Sequence, residues 1–448
     1  TGPSETRYVN LTNPAAGVTT TENNVTGMSA GGSVTVTPYT EVGPTAQTLG
    51  YGWGTYLWGD STWGTERTTS DVTLEPGNWS LDNFGETLIA TISNGKSFTW
   101  DAGATNPRTI RAALMTGAPT ASRLTIVSET DRHLFHLGTE TTIGNAATQD
   151  PMFIRFSDQE STSIYTPTST NTAGTFQLDK GNKIVAAVQG KDYILILTDQ
   201  AAYVAQFVGP PFTFSIRQVG TNCGCLGQHA VSFAQGAVYW MGTSGGFFQY
   251  DGTVKQLPCL VEDFVFTTGD GNLGLNFNSA EIVYSGHNSL YTEVNWFYPK
   301  SGSLQVDRVV TYNYGEASWY TGSLDRTTYQ DGNVFTEPYA TNYVAKGQSG
   351  TNDPSDTPLF PISGITDKYG ATVYYCHEKG TDQINSTGTS AIAAFIRSSD
   401  FDIDDGEFLM SMRRFIPDYK QIVGNSLISL FISDFPSQQQ SVSPLGPF

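Results

Sequence analysis

The chain has 448 residues, a net charge of −19 and only 15% charged side chains, well under the ~25% of ordinary soluble domains. An acidic surface cannot neutralise phosphates, which disfavours a general nucleic-acid binder. Repulsion around passing DNA stays compatible with it. No run of 18 apolar residues marks a transmembrane helix, and four cysteines make no disulfide framework.

Residues 1–78 are polar and rich in Thr and Gly, with clear alternation only in SVTVTPY (33–39). They read as an extended arm or a fragment of a platform domain. No signal peptide is visible. A chain that opens on Thr1 and closes on SPLGPF points to processing or to further residues at its ends. The arm ends in YGWGTYLWGDSTWGT (51–65), where Trp53, Trp58 and Trp63 are each followed by Gly. In a strand, steps of five alternate faces, so Trp58 would oppose the other two. Burial on both sides suits a subunit interface better than a sugar platform, which needs one exposed face. These three tryptophans are therefore the candidate interface anchors.

From residue 79 the texture changes to short apolar runs separated by turn signals. GETLIATISNGKSFTWD (85–101) reads as strand, Asn-Gly turn, strand. The same layout recurs at 122–138, 183–209, 229–252, 281–299, 307–320 and 371–380. A unit every ~40 to 55 residues fits a four-stranded blade, and blades set in a ring make a β-propeller. The fold expected is all-β, a propeller-like ring of about six or seven blades over 79–425. Tandem β-sandwiches are the alternative. Residues 340–370 form a polar insertion loop in this body, and 426–448 a terminal strand and tail.

Chemistry-bearing residues are sparse. His133, His136, His229, His287 and His377 lie in no nucleophile elbow, zinc-protease helix or papain-like context, so no catalytic residue is assigned. Cys223, Cys225, Cys259 and His229 could make a zinc site, but their spacing is unlike a zinc knuckle. Small buried thiols are the preferred reading, and no metal or cofactor is expected. SSDFDIDDGEF (398–408) places Asp400, Asp402 and Asp404 on one face of a strand, with Asp405 beside them. A calcium loop fits poorly, because Gly406 falls one place late. An acidic lining beside a negative partner is a stronger functional reading. A solvated strand face near Arg413 and Arg414 is the plainest.

Several long blocks carry a resemblance: WSLDNFGETLIA (79–90), RFSDQESTSIYTPTSTNTAG (155–174), QFVGPPFTFSIRQVGTNCG (206–224), VYWMG (238–242) and YDGTVKQLPC (250–259). EVNWFYP (293–299), VDRVVTYNYGEASWY (306–320) and SSDFDIDDGEFLMSMRRFIPDY (398–419) continue it. In these the chain resembles the tail nozzle, or tail hub, family of short-tailed bacteriophages. The resemblance implies a non-enzymatic virion protein assembled in the bacterial cytoplasm. It implies a homo-hexamer with a propeller-like body around a DNA channel, below an adaptor ring and carrying or adjoining fibres or spikes. Genomic DNA would pass without sequence-specific binding, and nothing in the chain would enter a membrane. A glycan-binding or glycan-cleaving, tailspike-like β-protein is the alternative function.

Overall fold

The computed structural model describes residues 77–341 apart from 106, 108–109, 211, 270–271, 304–305, 325, 327 and 333–337. Beyond these it describes 395–396, 411–414, 416, 427–432 and the backbone of short paired strands. Two compact units divide the chain, Thr1–His377 and Glu378–Phe448. In the second, Gln383–Asn385 pairs with Gly388–Ser390, and Ile428–Ile432 with Ser441–Leu445, both antiparallel.

The first unit is built from antiparallel four-stranded sheets, each a simple up-and-down meander. Blade one holds β1 (Trp79–Phe84), β2 (Thr87–Ile92), β3 (Ser97–Asp101) and β4 (Ala113–Leu114). Blade two holds β5 (Ser122–Ser128), β6 (His133–Thr139), β7 (Phe153–Phe156) and β8 (Gly174–Gln177). Blade three holds β9 (Ile184–Gln189), β10 (Ile194–Thr198), β11 (Ala201–Gly209) and β12 (Thr213–Thr221). Blade four holds β13 (Val231–Ala234), β14 (Ala237–Met241), β15 (Phe247–Tyr250) and β16 (Val254–Leu257). Blade five holds β17 (Tyr284–Asn288), β18 (Glu293–Tyr298), β19 (Arg308–Asn313) and β20 (Ser318–Gly322). A sixth sheet has three strands among the described residues: β21 (Thr328–Gln330), β22 (Tyr339–Thr341) and β23 (Tyr375–Cys376). The chain is thus all-β and propeller-like, with hairpins where the turn signals place them.

The turn at Gln235-Gly236 shows the local chemistry. Both residues have positive φ, 46° and 87°, and Ala234 pairs with Ala237 across them. That is the backbone of a two-residue hairpin whose twist matches its strands, and glycine at the second position carries it without strain. The Asn-Gly turn is wider. Asn94 alone is left-handed, at φ 56°, and Gly95 N–H donates to Ile92 C=O at 2.9 Å.

Successive first strands are neighbours in space, β1 beside β5, then β9, β13, β17 and β21. The first strand of each blade is therefore the inner one and the fourth faces outward. Burial follows this order. Every residue of β6, β10 and β14 is buried, whereas β8 is mostly and β16 half exposed. Apolar side chains fill the gaps between blades. Ile89, Val127 and Leu134 pack between blades one and two, and Phe135, Ile154, Ile196 and Phe214 between two and three. The largest cluster joins blades three to five through Leu195, Val238, Trp240, Phe247, Trp296 and Val310. Two indoles are also tied down. Trp240 Nε1–H donates to Cys223 C=O at 2.8 Å, and Trp296 Nε1–H to Ala230 C=O at 3.0 Å.

Before blade one, Ala46–Thr48 pairs with Leu74–Pro76. These strands flank the segment that carries the Trp-Gly repeat. The insertion between β22 and β23 contains one further pair, Ile365–Thr366 with Thr372–Val373.

Candidate functional site

All inner strands run in the same sense, so their starts share one end of the blade axis. There the loops that enter the blades meet. Asn78 Nδ2–H donates to Glu281 C=O at 3.1 Å, joining residues 203 apart in sequence. The Nε2 of His229 lies 3.1 Å from Trp79 C=O, across 150 residues. A carbonyl only accepts, so Nε2 carries the proton. Ser93 Oγ–H donates to Gln228 Oε1 at 3.1 Å. Lys183 Nζ pairs with Glu281 Oε1 at 2.6 Å, both side chains partly buried. Residues entering blades one, three, four and five therefore form one polar cluster.

His229 is held further by its own backbone and ring. Its C=O accepts from Ser285 N–H at 2.7 Å and Ser285 Oγ–H at 2.8 Å, and its ring lies 5.1 Å from that of Tyr284. Burial pushes the imidazole down to about 4, against a smaller upward pull from the Trp79 carbonyl. It is neutral at neutral pH and works as a hydrogen-bond strut. The cluster ties the entrances to blades one, four and five directly to one another.

His136 and His287 are likewise held by hydrogen bonds. His136 is fully buried between Ser122 Oγ at 2.9 Å and Tyr165 Oη at 3.2 Å. Burial, with the Arg155 guanidinium nearby, drives it down to about 3. His287 has Nδ1 3.2 Å from Asp331 Oδ2 and Nε2 3.0 Å from Tyr314 Oη. The side chain of His377 lies outside the described residues.

The possible zinc ligands are not brought together. Among the described residues no group of three His, Cys, Asp or Glu side chains could hold a metal. Cys223 and Cys225 are free and buried, and Cys225 Sγ–H donates to Gly227 C=O at 3.3 Å. Burial pushes their thiols up to about 11 and about 12, the direction that makes them inert. The two motifs singled out in the sequence, Trp53, Trp58 and Trp63 and the acidic group Asp400, Asp402, Asp404 and Asp405, lie outside the described residues.

The axis cluster has no local sequence signature. Trp79 and His229 stand among ordinary strand-flanking residues, and only the closing of blades far apart in the chain brings them together.

No protein-family model matches the chain, and no curated protein does. Solved structures similar to it include Hsv2 of Kluyveromyces lactis, 11% identical with a TM-score of 0.33, covering 59% of this chain and 72% of that one. Hsv2 of Kluyveromyces marxianus is 8% identical with a TM-score of 0.35, covering 71% and 82%. Likeness this remote adds nothing to the blade topology described above.

Proposed function

We propose that this chain is a structural subunit of the tail nozzle of a short-tailed bacteriophage, and that several copies, six by resemblance, wall a DNA conduit. The observation that carries the reading is the body of four-stranded antiparallel blades on which the resemblance blocks fall. The conduit we propose runs between copies, with the blades as its wall. The resemblance blocks support it, because those at 79–90, 206–224, 238–242, 250–259, 293–299 and 306–320 coincide with blade strands and their junctions. Each copy brings a charge of −19, so the wall repels rather than grips the duplex and lets it slide. No catalytic step is assigned. The partners are other copies of the chain, an adaptor ring above and fibres or spikes beside it.

The mass of the purified chain in solution, followed by particle imaging, tests this. A six-fold ring with an open central axis supports it. Assembly contacts are assigned to the arm, so deleting residues 51–65 should weaken the ring, and an unchanged oligomer removes that role from Trp53, Trp58 and Trp63.

One observation favours the glycan-directed alternative. Burial raises the carboxyl of Glu293 at the start of β18, while Asp331 sits against His287 beyond the end of β21. Carboxyl groups in contrasting surroundings are what acid–base hydrolysis uses. Cleavage of host-surface polysaccharide that is lost on Glu293→Gln would favour it over the conduit.

A further inference from the structure

The β11–β12 hairpin has the longest strands of the described blades, nine residues each, and its tip carries exposed apolar side chains. Val208 is 55% exposed and Phe212 79%. Below the tip the hairpin is clamped to blade two. Phe207 and Phe214 close a cage around the ring of His133 together with Phe156, at centroid distances of 6.1, 5.1 and 6.2 Å. Thr213 is buried and left-handed at φ 57°, a strained state for a β-branched residue, and its Oγ1–H donates to Thr172 C=O at 3.1 Å. Thr172 is in turn held by the Asp158 carboxylate, through N–H at 2.8 Å and Oγ1–H at 2.7 Å.

At the centre of this clamp, His133 is wholly buried. Its Nδ1 lies 2.7 Å from Ser157 C=O and therefore carries the proton, while Nε2 has no hydrogen-bond partner. The neutral ring fits the cage: one donor, one acceptor, and an unprotonated nitrogen among aromatic rings. A second proton would put an N–H and a full charge where no acceptor is within reach. Aromatic faces offset part of that cost, and Asp131, Asp158 and Glu160 on blade two also favour the charged form. Glu160 is engaged by Arg132 at 3.2 Å. The hairpin brings only Phe207 and Phe214 to the ring, and its one charged residue, Arg217, is not among the groups acting on it. Desolvation outweighs the carboxylates and holds the imidazole below its usual 6.5.

We propose that His133 is an acid-sensitive latch, holding the β11–β12 hairpin against blade two when neutral and releasing it when protonated. The strained Thr213 is the adjoining element poised to relax, and the Phe212 tip is what moves. The proton comes from solvent during transient opening of the cage, and no other bond changes.

The test is amide exchange of residues 201–221, corrected for the intrinsic effect of pH, as pH is lowered through 6.5. Residues 184–198 of the same blade are the internal reference. Protection of the hairpin relative to that reference should fall about tenfold per pH unit, one proton being taken up on opening. In His133→Asn, which keeps a donor for Ser157 C=O but does not titrate, the relative protection should stay flat. His133→Phe, which fills the cage, should do the same. An unchanged hairpin in the wild-type chain overturns the proposal, as does an equal fall in both variants.

Discussion

Trp296 joins packing and hydrogen bonding in one side chain. Its indole is fully buried, 4.9 Å from Phe247 by ring centroids, and its Nε1–H reaches back to the Ala230 carbonyl at the entrance to blade four. Trp296→Phe keeps most of the apolar contact and removes one of that carbonyl's two donors, the other being Met241 N–H at 3.1 Å. It should lower unfolding stability by about 0.5–1.5 kcal/mol, read as a lower denaturant midpoint at unchanged slope. Trp296→Ala opens a cavity as well and should cost about 3–5 kcal/mol. His136 acts at the same scale through its proton. Its folded-state value, about 3, lies below the unfolded 6.5, so the unfolded chain binds more protons between them. The stability it contributes is complete above 6.5 and is lost as pH falls toward about 3, at roughly 1.4 kcal/mol per unit. His229 adds to this between 6.5 and about 4. Melting temperature should drop steeply over that window. His136→Asn should give a shallower drop despite its lower starting stability, and an identical slope would remove His136 as a cause.

Blades one and two meet through a device that only adjacent inner strands can make. β5 presents backbone N–H groups to blade one, and blade one answers with side chains. Ser80 Oγ accepts from Thr125 N–H at 3.0 Å, and Asp82 Oδ2 accepts from Val127 N–H at 2.7 Å. Burial raises the Asp82 carboxyl more than these hydrogen bonds lower it. A raised carboxyl adds stability below its unfolded value, and that contribution is lost as pH rises through the folded one. At neutral pH the charge is therefore a net cost and the acceptor a gain. Asp82→Asn should match or exceed wild-type stability at neutral pH and lose that advantage in acid. Asp82→Leu should cost about 1–3 kcal/mol, because Val127 N–H is buried with no acceptor. Chemical denaturation of both variants at two pH values checks the pair. Much at this scale is legible from sequence. Gln235-Gly236 and the apolar runs beside it announce a hairpin through local backbone chemistry alone. The fourth strands are harder to see, since outward strands such as β8 and β16 mix polar and apolar residues without an enforced alternation. The axis cluster is invisible, because nothing in WSLDNF or QHAVSF records a hydrogen bond spanning 150 residues.

For the whole molecule, the reading proposed above puts the conduit between copies and not through the blades. On that reading, loosening the contact between Trp79 and His229 at the blade entrances should leave DNA passage untouched. His229→Ala removes the strut to the Trp79 carbonyl, and Lys183→Met breaks the pair with Glu281. Together they should loosen the blade entrances and lower thermal stability while leaving the ring of copies intact. Particles carrying both substitutions should retain their genomes and release them at the wild-type rate once triggered. Acidic residues that face the proposed inter-copy channel should behave in the opposite way. Replacing them by lysine lets the wall bind phosphates, so release should slow and become strongly salt-dependent while stability changes little. Triggered release, followed by a DNA-binding dye at several salt concentrations, separates the two sets. A release rate that followed the His229 and Lys183 substitutions would overturn the inter-copy route proposed above.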